Sequence, residues 1–322
     1  MPRSAANSQS SPSPAIHRSV ILRALLVTVL WSSSWVIIRF GLDREGLSPL
    51  TFAALRYSTG AVVLWIVVLR SREARTRLTI GRPALIRLAG LGVVMYSLTQ
   101  GAQFVALDEQ PAATTSLLLT MTPLVVAALA GIFLRERPSR AQLAGAVFVA
   151  AGAGIYFGGS LGATTVGMIA ALVGLVANAV ASMLGRAENR RVETTPLTTT
   201  VVSMSIGAVV LLATGLAIEG PPTITARAAF VILWLGTVNT AFAFTLWNHT
   251  LQHLSATESS AVNNTMLVQI AILAWVFLGE GPGAIQIAGI VLVSFGIFVA
   301  TSRRASHTAE AQISGSRYRS GR

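Results

Sequence analysis

Ten runs of about 20 mostly apolar residues follow one another along this chain, and a helix of about that length spans the bilayer core, which is about 30 Å thick. Only 11% of the 322 residues are charged, whereas soluble proteins contain about 25%. We therefore predict an all-α membrane protein with ten transmembrane helices. The predicted spans cover approximately residues 22–41, 50–69, 84–107, 112–134, 141–158, 166–186, 197–217, 228–251, 256–278 and 284–300.

Two residue types are absent from the sequence, and their absence excludes much chemistry. The chain has no Cys and no Lys, and all 24 basic residues are Arg. Thiolate catalysis, disulfides, the P-loop lysine and lysine Schiff bases are therefore excluded. The sequence also contains no HExxH motif. We predict no enzyme activity, no cofactor and no metal site.

The distribution of arginine sets the expected orientation in the membrane. With a cytoplasmic N-terminus, 19 of the 24 arginines fall in tails and loops on the cytoplasmic side, as the positive-inside rule requires. This predicts a multi-pass protein of the cell inner membrane with both termini in the cytoplasm. The net charge of +12 mostly reflects this topology, strengthened by anionic lipid on the inner face, and does not require a nucleic-acid partner.

Two ordered blocks of the sequence occur twice, about half the chain apart. PLTFAALRYSTGAVVL (49–64) aligns without gaps on PLTTTVVSMSIGAVVL (196–211), and FLRERPSRAQLAG (133–145) aligns on FLGEGPGAIQIAG (277–289). Each copy has five spans, so the second must enter the membrane in the inverted orientation, a recurring plan of secondary transporters. We predict a flexible tail at 1–19, repeats at 20–158 and 162–300, and a C-terminal tail at 301–322.

Several motifs, in order and doubled, resemble the EamA family of the drug/metabolite transporter superfamily over about residues 22–300. They are WSSSWVIIRFG from Trp31, SPLTFAALRY, LTMTPLVVAALAGIFLRERP, LGTVNTAFAFTLW and FLGE at 277–280. The resemblance implies a ten-helix basket in which spans 1–4 and 6–9 line a cavity, and it implies export of amino acids, other small metabolites or drugs. The sequence departs from the family at Leu267, where the second half lacks the proline that corresponds to Pro123, so span nine should be less kinked.

Arg56 is the ionisable residue that lies furthest inside a predicted span. It has two interpretations: an anchor for a substrate carboxylate, because guanidinium groups pair with carboxylates, or a packing arginine near the interface. Clustered amides and hydroxyls on spans three, eight and nine predict a water-accessible lining, in which Tyr96, Gln100 and Gln103 follow helical spacing down one face of span three. Three tryptophans could stack on a substrate. The candidate substrate-binding residues are Trp31, Trp35, Arg56, Tyr96, Gln100, Gln103, Asn239, Trp247, Asn263 and Asn264.

A second set of residues is suited to coupling or gating. His249 and His253 share a helix face and could serve as proton carriers, while Glu258 belongs to a capping box at the start of span nine. Glu136 and Glu280 follow spans four and nine. The coupling or gating candidates are therefore Pro123, Glu136, His249, Glu258 and Glu280. Ser48-Pro49 and Thr195-Pro196 are each typical of a capped helix start.

These features favour a secondary transporter that exports small metabolites by alternating access. Neutral amino acids or their analogues are the substrates that fit these features best. The partners expected are a small-molecule substrate, membrane lipid and, as a candidate coupling ion, protons, with the protein acting as a monomer or homodimer. One alternative is a cationic-drug exporter, which would require a carboxylate deep in a span; none lies there. The other is a non-transporting membrane scaffold, against which the polar lining argues.

Overall fold

The structure is a computed structural model that describes residues 14–72, 76, 80–134, 140–158, 164–189, 191, 193–251, 254 and 256–299. These residues form helices and no strand. The helices are α1 (Pro14–Asp43), α2 (Pro49–Arg70), α3 (Arg82–Glu109), α4 (Ala112–Thr120 and Thr122–Leu134), α5 (Arg140–Gly158), α6 (Thr165–Asn189), α7 (Pro196–Glu219), α8 (Ala226–Trp234, Leu235–Phe242 and Ala243–Leu251), α9 (Ala256–Leu278) and α10 (Ala284–Val299).

The prediction of an all-α membrane protein is confirmed in its main feature. Among the described residues, α1 to α4 and α6 to α8 are long and apolar enough to cross a membrane, while α5, α9 and α10 contain shorter apolar stretches. Large apolar side chains such as Ile86, Ile218 and Phe277 are exposed on the outside of the bundle. Such an exposed apolar surface suits contact with lipid rather than water.

Wide turns interrupt α3 and α8 at similar places. The backbone follows π-helical geometry over Val93–Thr99 in α3 and over Leu235–Phe242 in α8. In α3 the Thr99 hydroxyl donates to the Val94 carbonyl, five residues earlier, at 2.8 Å. A π segment adds a residue to the turn and rotates the side chains that follow it, so α-helical spacing does not describe the faces of α3 and α8.

Proline interrupts α4, as its chemistry requires. Pro123 has no N–H to donate to the Leu119 carbonyl, and the Thr122 hydroxyl donates to that carbonyl instead, at 2.6 Å. The helix is interrupted beside this site, at Met121. In contrast, α9 carries Leu267 at the corresponding position and runs without interruption.

The two predicted helix caps have different outcomes. Thr195 caps α7, because its side chain accepts from the Thr198 N–H at 3.1 Å. The prediction for Ser48 was wrong, since its side chain makes no capping hydrogen bond. The Glu219 carboxylate, at the end of α7, accepts instead from the N–H groups of Leu50 and Thr51, both at 2.8 Å. A carboxylate satisfies these donors better than a hydroxyl does, because it also interacts with the helix dipole.

Glycines allow the second helix of each predicted half to approach the third helix of the other half. A β-carbon on Gly60 of α2 would lie 2.8 Å from Thr240 Cγ2 of α8. The same substitution at Gly207 of α7 would place its β-carbon 2.7 Å from Tyr96 Cβ of α3. Small residues at such positions let helices pack closely in membranes.

The bundle is closed at the end where α9 finishes and Glu280 lies, which we call the Glu280 end. The largest apolar core lies here and includes Ile38 of α1, Phe104 of α3 and Ile270 of α9. At this end α9 packs against the Ala112–Thr120 segment of α4. Both segments of α4 also pack against α6.

Candidate functional site

Arg56 lies inside the bundle, between α1, α2 and α8. Only 4% of its surface is exposed. Its Nε donates to Thr240 Oγ1 at 3.1 Å, and its Nη2 lies 3.5 Å from Ser34 Oγ. The guanidinium carbon also lies 5.2 Å from the ring centre of Tyr57. The structure therefore places Arg56 deep in the protein, and not at a surface where it could extend to the interface.

The charge of Arg56 is not neutralised within the described part of the chain. No described carboxylate lies within ion-pair distance, and Nη1 makes no hydrogen bond to a described residue. A guanidinium group has five N–H donors, and only two of its nitrogens have a partner here. A buried cation in this condition is costly in a membrane protein and marks a functional position.

Asn239 shares the Ser34 hydroxyl with Arg56. Its Nδ2 lies 3.1 Å from Ser34 Oγ and 3.1 Å from Ser33 Oγ, and it also donates to the Leu30 carbonyl. Asn239 is completely buried, and its Oδ1 has no hydrogen-bond partner among the described residues. The carbonyl of Leu30 fixes the orientation of the amide, because the reverse orientation would bring two oxygens together.

Three aromatic rings form a cluster next to this polar group. The Trp31 ring lies 5.3 Å from both Phe244 and Trp247, measured between ring centres. The Trp31 Nε1 is buried without a partner among the described residues. Trp31 precedes Ser34 by three residues, so these two side chains lie on the same face of α1, and the Trp31 ring brings Phe244 and Trp247 of α8 to that face.

The remaining predicted binding residues are distributed over separate parts of the structure. The prediction that Tyr96 shares a helix face with Gln100 and Gln103 was wrong, because the π segment changes the rotation of the helix between them. Tyr96 is buried against Tyr57, with 5.5 Å between the ring centres, whereas both glutamines are half-buried. Trp35 is packed in the apolar core of the Glu280 end, and Asn263 is exposed on α9.

Arg39 joins three elements at the Glu280 end, and it was not among the predicted residues. Its Nε lies 2.9 Å from Asp43 Oδ2 and 3.9 Å from Glu280 Oε1. Its Nη1 donates to the backbone carbonyls of Leu107 and Asp108 at the end of α3. Sequence position alone indicated only that Arg39 lies at a span end.

Glu280 connects the end of α9 to the start of α4. The Ala112 N–H donates to Glu280 Oε2 at 2.8 Å. Burial raises the pKa of the Glu280 carboxyl above its ordinary value, and the opposing effects of the Ala112 N–H and Arg39 are smaller. The predicted gating residue thus lies in a contact that closes this end of the bundle.

The other gating candidates contribute less to the described structure. Glu136 and His253 lie outside the described residues, and Glu258 and Asn264 are positions of α9 whose side chains are not described. His249 is exposed in the last turn of α8. Thr240 belongs to the polar cluster predicted on span eight, whereas Ser34 was missed, because a serine in an apolar span carries no signal that separates it from ordinary helix-packing hydroxyls.

The two predicted halves also match a known family. Residues 18–158 and 165–302 each match the EamA-like transporter family. A protein named probable terminal-alkyne amino-acid exporter, from Streptantibioticus cattleyicolor, is 30% identical over 302 residues and covers 91% of this chain and 97% of its own. A probable amino-acid metabolite efflux pump of Salmonella typhimurium is 25% identical, with 86% and 92% covered.

Further matches extend over similar lengths. The uncharacterized transporter YoaV of Bacillus subtilis is 26% identical and covers 88% of this chain and 96% of its own. One solved crystal structure superposes with a TM-score of 0.63 at 20% identity, over 88% of this chain and 98% of that one. At this identity the superposition shows a common fold.

Proposed function

Because this chain belongs to the EamA-like transporter family, it is a membrane transporter, and we propose that it exports small amphipathic metabolites, with neutral amino acids or their analogues as substrates. Two relatives are named as an amino-acid exporter and an amino-acid metabolite efflux pump, which supports this class of substrate. The proposed mechanism is secondary transport by alternating access, without a cofactor.

The observation that carries the proposal is the buried, unneutralised guanidinium of Arg56. A substrate carboxylate would supply the missing negative charge and could accept two N–H groups in parallel, the geometry for which arginine is best suited. The aromatic cluster of Trp31, Phe244 and Trp247 would hold an apolar side chain beside it. Together these groups suit a molecule with a carboxylate at one end and an apolar body.

We propose further that the fold consists of two inverted five-helix repeats, at 20–158 and 162–300, that cross the membrane ten times. Three pairs of features support it: the two separate matches to the family, the π segments of α3 and α8, and the close contacts at Gly60 and Gly207. Inverted repeats allow a central site to be closed at either end in turn.

We propose that the protein lies in the cell inner membrane with both termini in the cytoplasm. In that orientation the Glu280 end faces the outside of the cell. The described conformation is then closed on the outside by Arg39, Glu280 and the start of α4. Opening this end would require the Ala112 N–H and Arg39 to leave Glu280. We propose protons as the coupling ion and Glu280 as a gating residue, with Glu136, Glu258 and His249 as further candidates.

Counterflow in proteoliposomes tests the proposal. Vesicles loaded with unlabelled neutral amino acids should accumulate the labelled amino acid without an ion gradient, and an Arg56→Leu protein should not. Arg44→Leu, in an exposed turn after α1, is the matched control and should retain counterflow. Equal counterflow by the Arg56→Leu protein would remove the anchor role.

The same vesicles separate the rival functions. Exchange of a cationic drug in the absence of amino-acid exchange would replace the proposal by cationic-drug export. Failure of both exchanges with folded protein would favour a non-transporting scaffold.

A further inference from the structure

Asn239 and Arg56 meet at one point in the bundle, where, among the described residues, Asn239 has a hydrogen-bond acceptor without a partner and Arg56 has a donor without a partner. Both side chains contact the Ser34 hydroxyl, Asn239 Nδ2 at 3.1 Å and Arg56 Nη2 at 3.5 Å. Arg56 has an unpartnered charged donor, Nη1, and Asn239 has an unpartnered acceptor, Oδ1, within the described part of the structure. A buried acceptor without a donor is costly, so its retention points to a ligand.

From this arrangement we infer that Asn239 Oδ1 accepts a hydrogen bond from the α-ammonium group of a substrate whose carboxylate is bound by Arg56. The site would therefore select α-amino acids over carboxylic acids in general. This inference rests on the proposed function and defines its substrate class more narrowly.

The chemistry of the two groups explains why the acceptor is an amide. A carboxylate at position 239 would form an ion pair with Arg56, and the guanidinium would then be unavailable to the substrate. A neutral amide oxygen accepts from an ammonium group while leaving the charge of Arg56 unmet. In an α-amino acid, a single carbon separates the ammonium from the carboxylate, which suits two protein groups that meet at one hydroxyl.

The direction of the helices orients the rest of the substrate. Along α1, Ser34 is preceded by Trp31 at helical spacing, and along α8, Thr240 is followed by Phe244 and Trp247, whose rings contact Trp31. The two helices run in opposite directions, so both lead from the polar group to the same aromatic cluster. A substrate with its charged groups at Arg56 and Asn239 would place its side chain among these rings, which favours leucine-like and phenylalanine-like side chains.

Binding to the purified full-length protein tests the inference without a variant. The probes are L-phenylalanine and L-leucine, their deaminated analogues 3-phenylpropionate and 4-methylpentanoate, and their decarboxylated analogues phenethylamine and isopentylamine. We expect each amino acid to bind at least about tenfold more tightly than its deaminated analogue, the effect of one hydrogen bond to a charged group. Binding of the deaminated acids as tight as that of the amino acids would overturn the inference and leave the Arg56 anchor standing.

The decarboxylated analogues report on the proposed function instead. Tight binding of the amines together with no binding of either acid or amino acid would refute the anchor role of Arg56, and the present inference with it. The two failures are therefore distinguishable by the class of probe that binds.

Two Asn→Leu substitutions test whether Asn239 is the residue that gives the preference for amino acids. In Asn239→Leu, binding of L-phenylalanine should fall by more than binding of 3-phenylpropionate, so that the preference for the amino acid is lost. Asn178→Leu is the matched control: it removes an amide of α6 that donates to Thr122 at 3.0 Å, and it should keep the preference for amino acids. An unchanged preference in Asn239→Leu would overturn the assignment of Asn239.

Discussion

Replacing Arg56 by methionine should abolish carboxylate binding and at the same time stabilise the unliganded protein. Methionine fills a similar volume with a flexible apolar chain. It removes a buried charge that has no carboxylate partner among the described residues. Such a side chain is expected at a binding site, because it destabilises the unliganded protein and its interactions are completed only when ligand binds.

The size of the effect follows from the partners of the side chain. An arginine near the centre of a membrane helix costs about 2.5–3.5 kcal/mol on insertion scales. Its two bonds to the hydroxyls of Thr240 and Ser34 return about 0.5–1.5 kcal/mol each, the longer one least. The net gain in unfolding free energy for Arg56→Met is therefore about 1–2 kcal/mol. The loss of two charge-assisted bonds to a substrate carboxylate lowers affinity by at least about 100-fold.

Thermal unfolding in detergent, with and without saturating L-phenylalanine, measures both effects. The unliganded Arg56→Met protein should melt a few degrees above the unaltered protein, and added ligand should raise the Tm of the unaltered protein only. Arg87→Met is the contrasting control, because Arg87 pairs with Glu188 and Glu193 at 2.9 Å and 2.5 Å. Its removal leaves the buried Glu188 carboxylate without that partner and should lower the Tm.

The reasoning is refuted if Arg56→Met behaves like Arg87→Met. A lower Tm that ligand still raises would show that Arg56 is a structural residue. Its hydrogen bonds to the two hydroxyls would then stabilise the protein by more than the burial of its charge destabilises it. The packing interpretation of the sequence would then be correct, and the carboxylate site would have to be sought elsewhere.

Three other substitutions test separate parts of the structure. Because burial raises the pKa of Glu280 above its ordinary value of 4.5, the stability that its protonation provides should be complete below pH about 4.5 and lost as the pH rises through the raised pKa. The Tm of Glu280→Gln should lack that decline between pH 4 and pH 7, whereas Glu45→Gln, at the same end, should keep it. Gly207→Leu should lower the Tm and expression by forcing α3 and α7 apart, whereas Gly154→Leu, with no atom within 4 Å of an added β-carbon, should be tolerated; equal effects would contradict the packing. Glu219→Gln should cost about 0.3–1 kcal/mol, because an amide interacts less with the dipole of α2; the free energy from chemical denaturation checks this, and no change would mean that the charge is unimportant.

The sequence predicted the helices well because apolar length alone determines them. Nearly every predicted span overlaps one described helix, and Pro123 marked the interruption of α4. A helix cap could be predicted only where the capping side chain lies close in the sequence to the N–H group that donates to it. Thr195 Oγ1 and the Thr198 N–H that donates to it are three residues apart, whereas the carboxylate that replaces Ser48 comes from Glu219, on another helix. Local propensity contains no information about such a partner.

The candidate site was predictable in its members but not in their arrangement. Arg56, Asn239, Trp31 and Trp247 all stood out as costly or polar residues in apolar spans. The spacing of Tyr96 and the glutamines of α3 gave the wrong face, because a π segment cannot be read from a sequence of apolar residues. The structure also supplied what no spacing shows, namely that Arg56 and Asn239 meet at one hydroxyl.

The duplication itself helps to separate scaffold from site. The glycines at 60 and 207 occupy the same position of the repeat, and each allows a close helix contact. Four residues earlier the copies differ: the first has Arg56 and the second has Ser203, whose backbone lies against Gly92 of α3. If packing between the second and third helices required a guanidinium, both copies would require it. The second copy packs with a serine, so this packing does not require the arginine, as expected if Arg56 is the anchor of the single binding site that we propose.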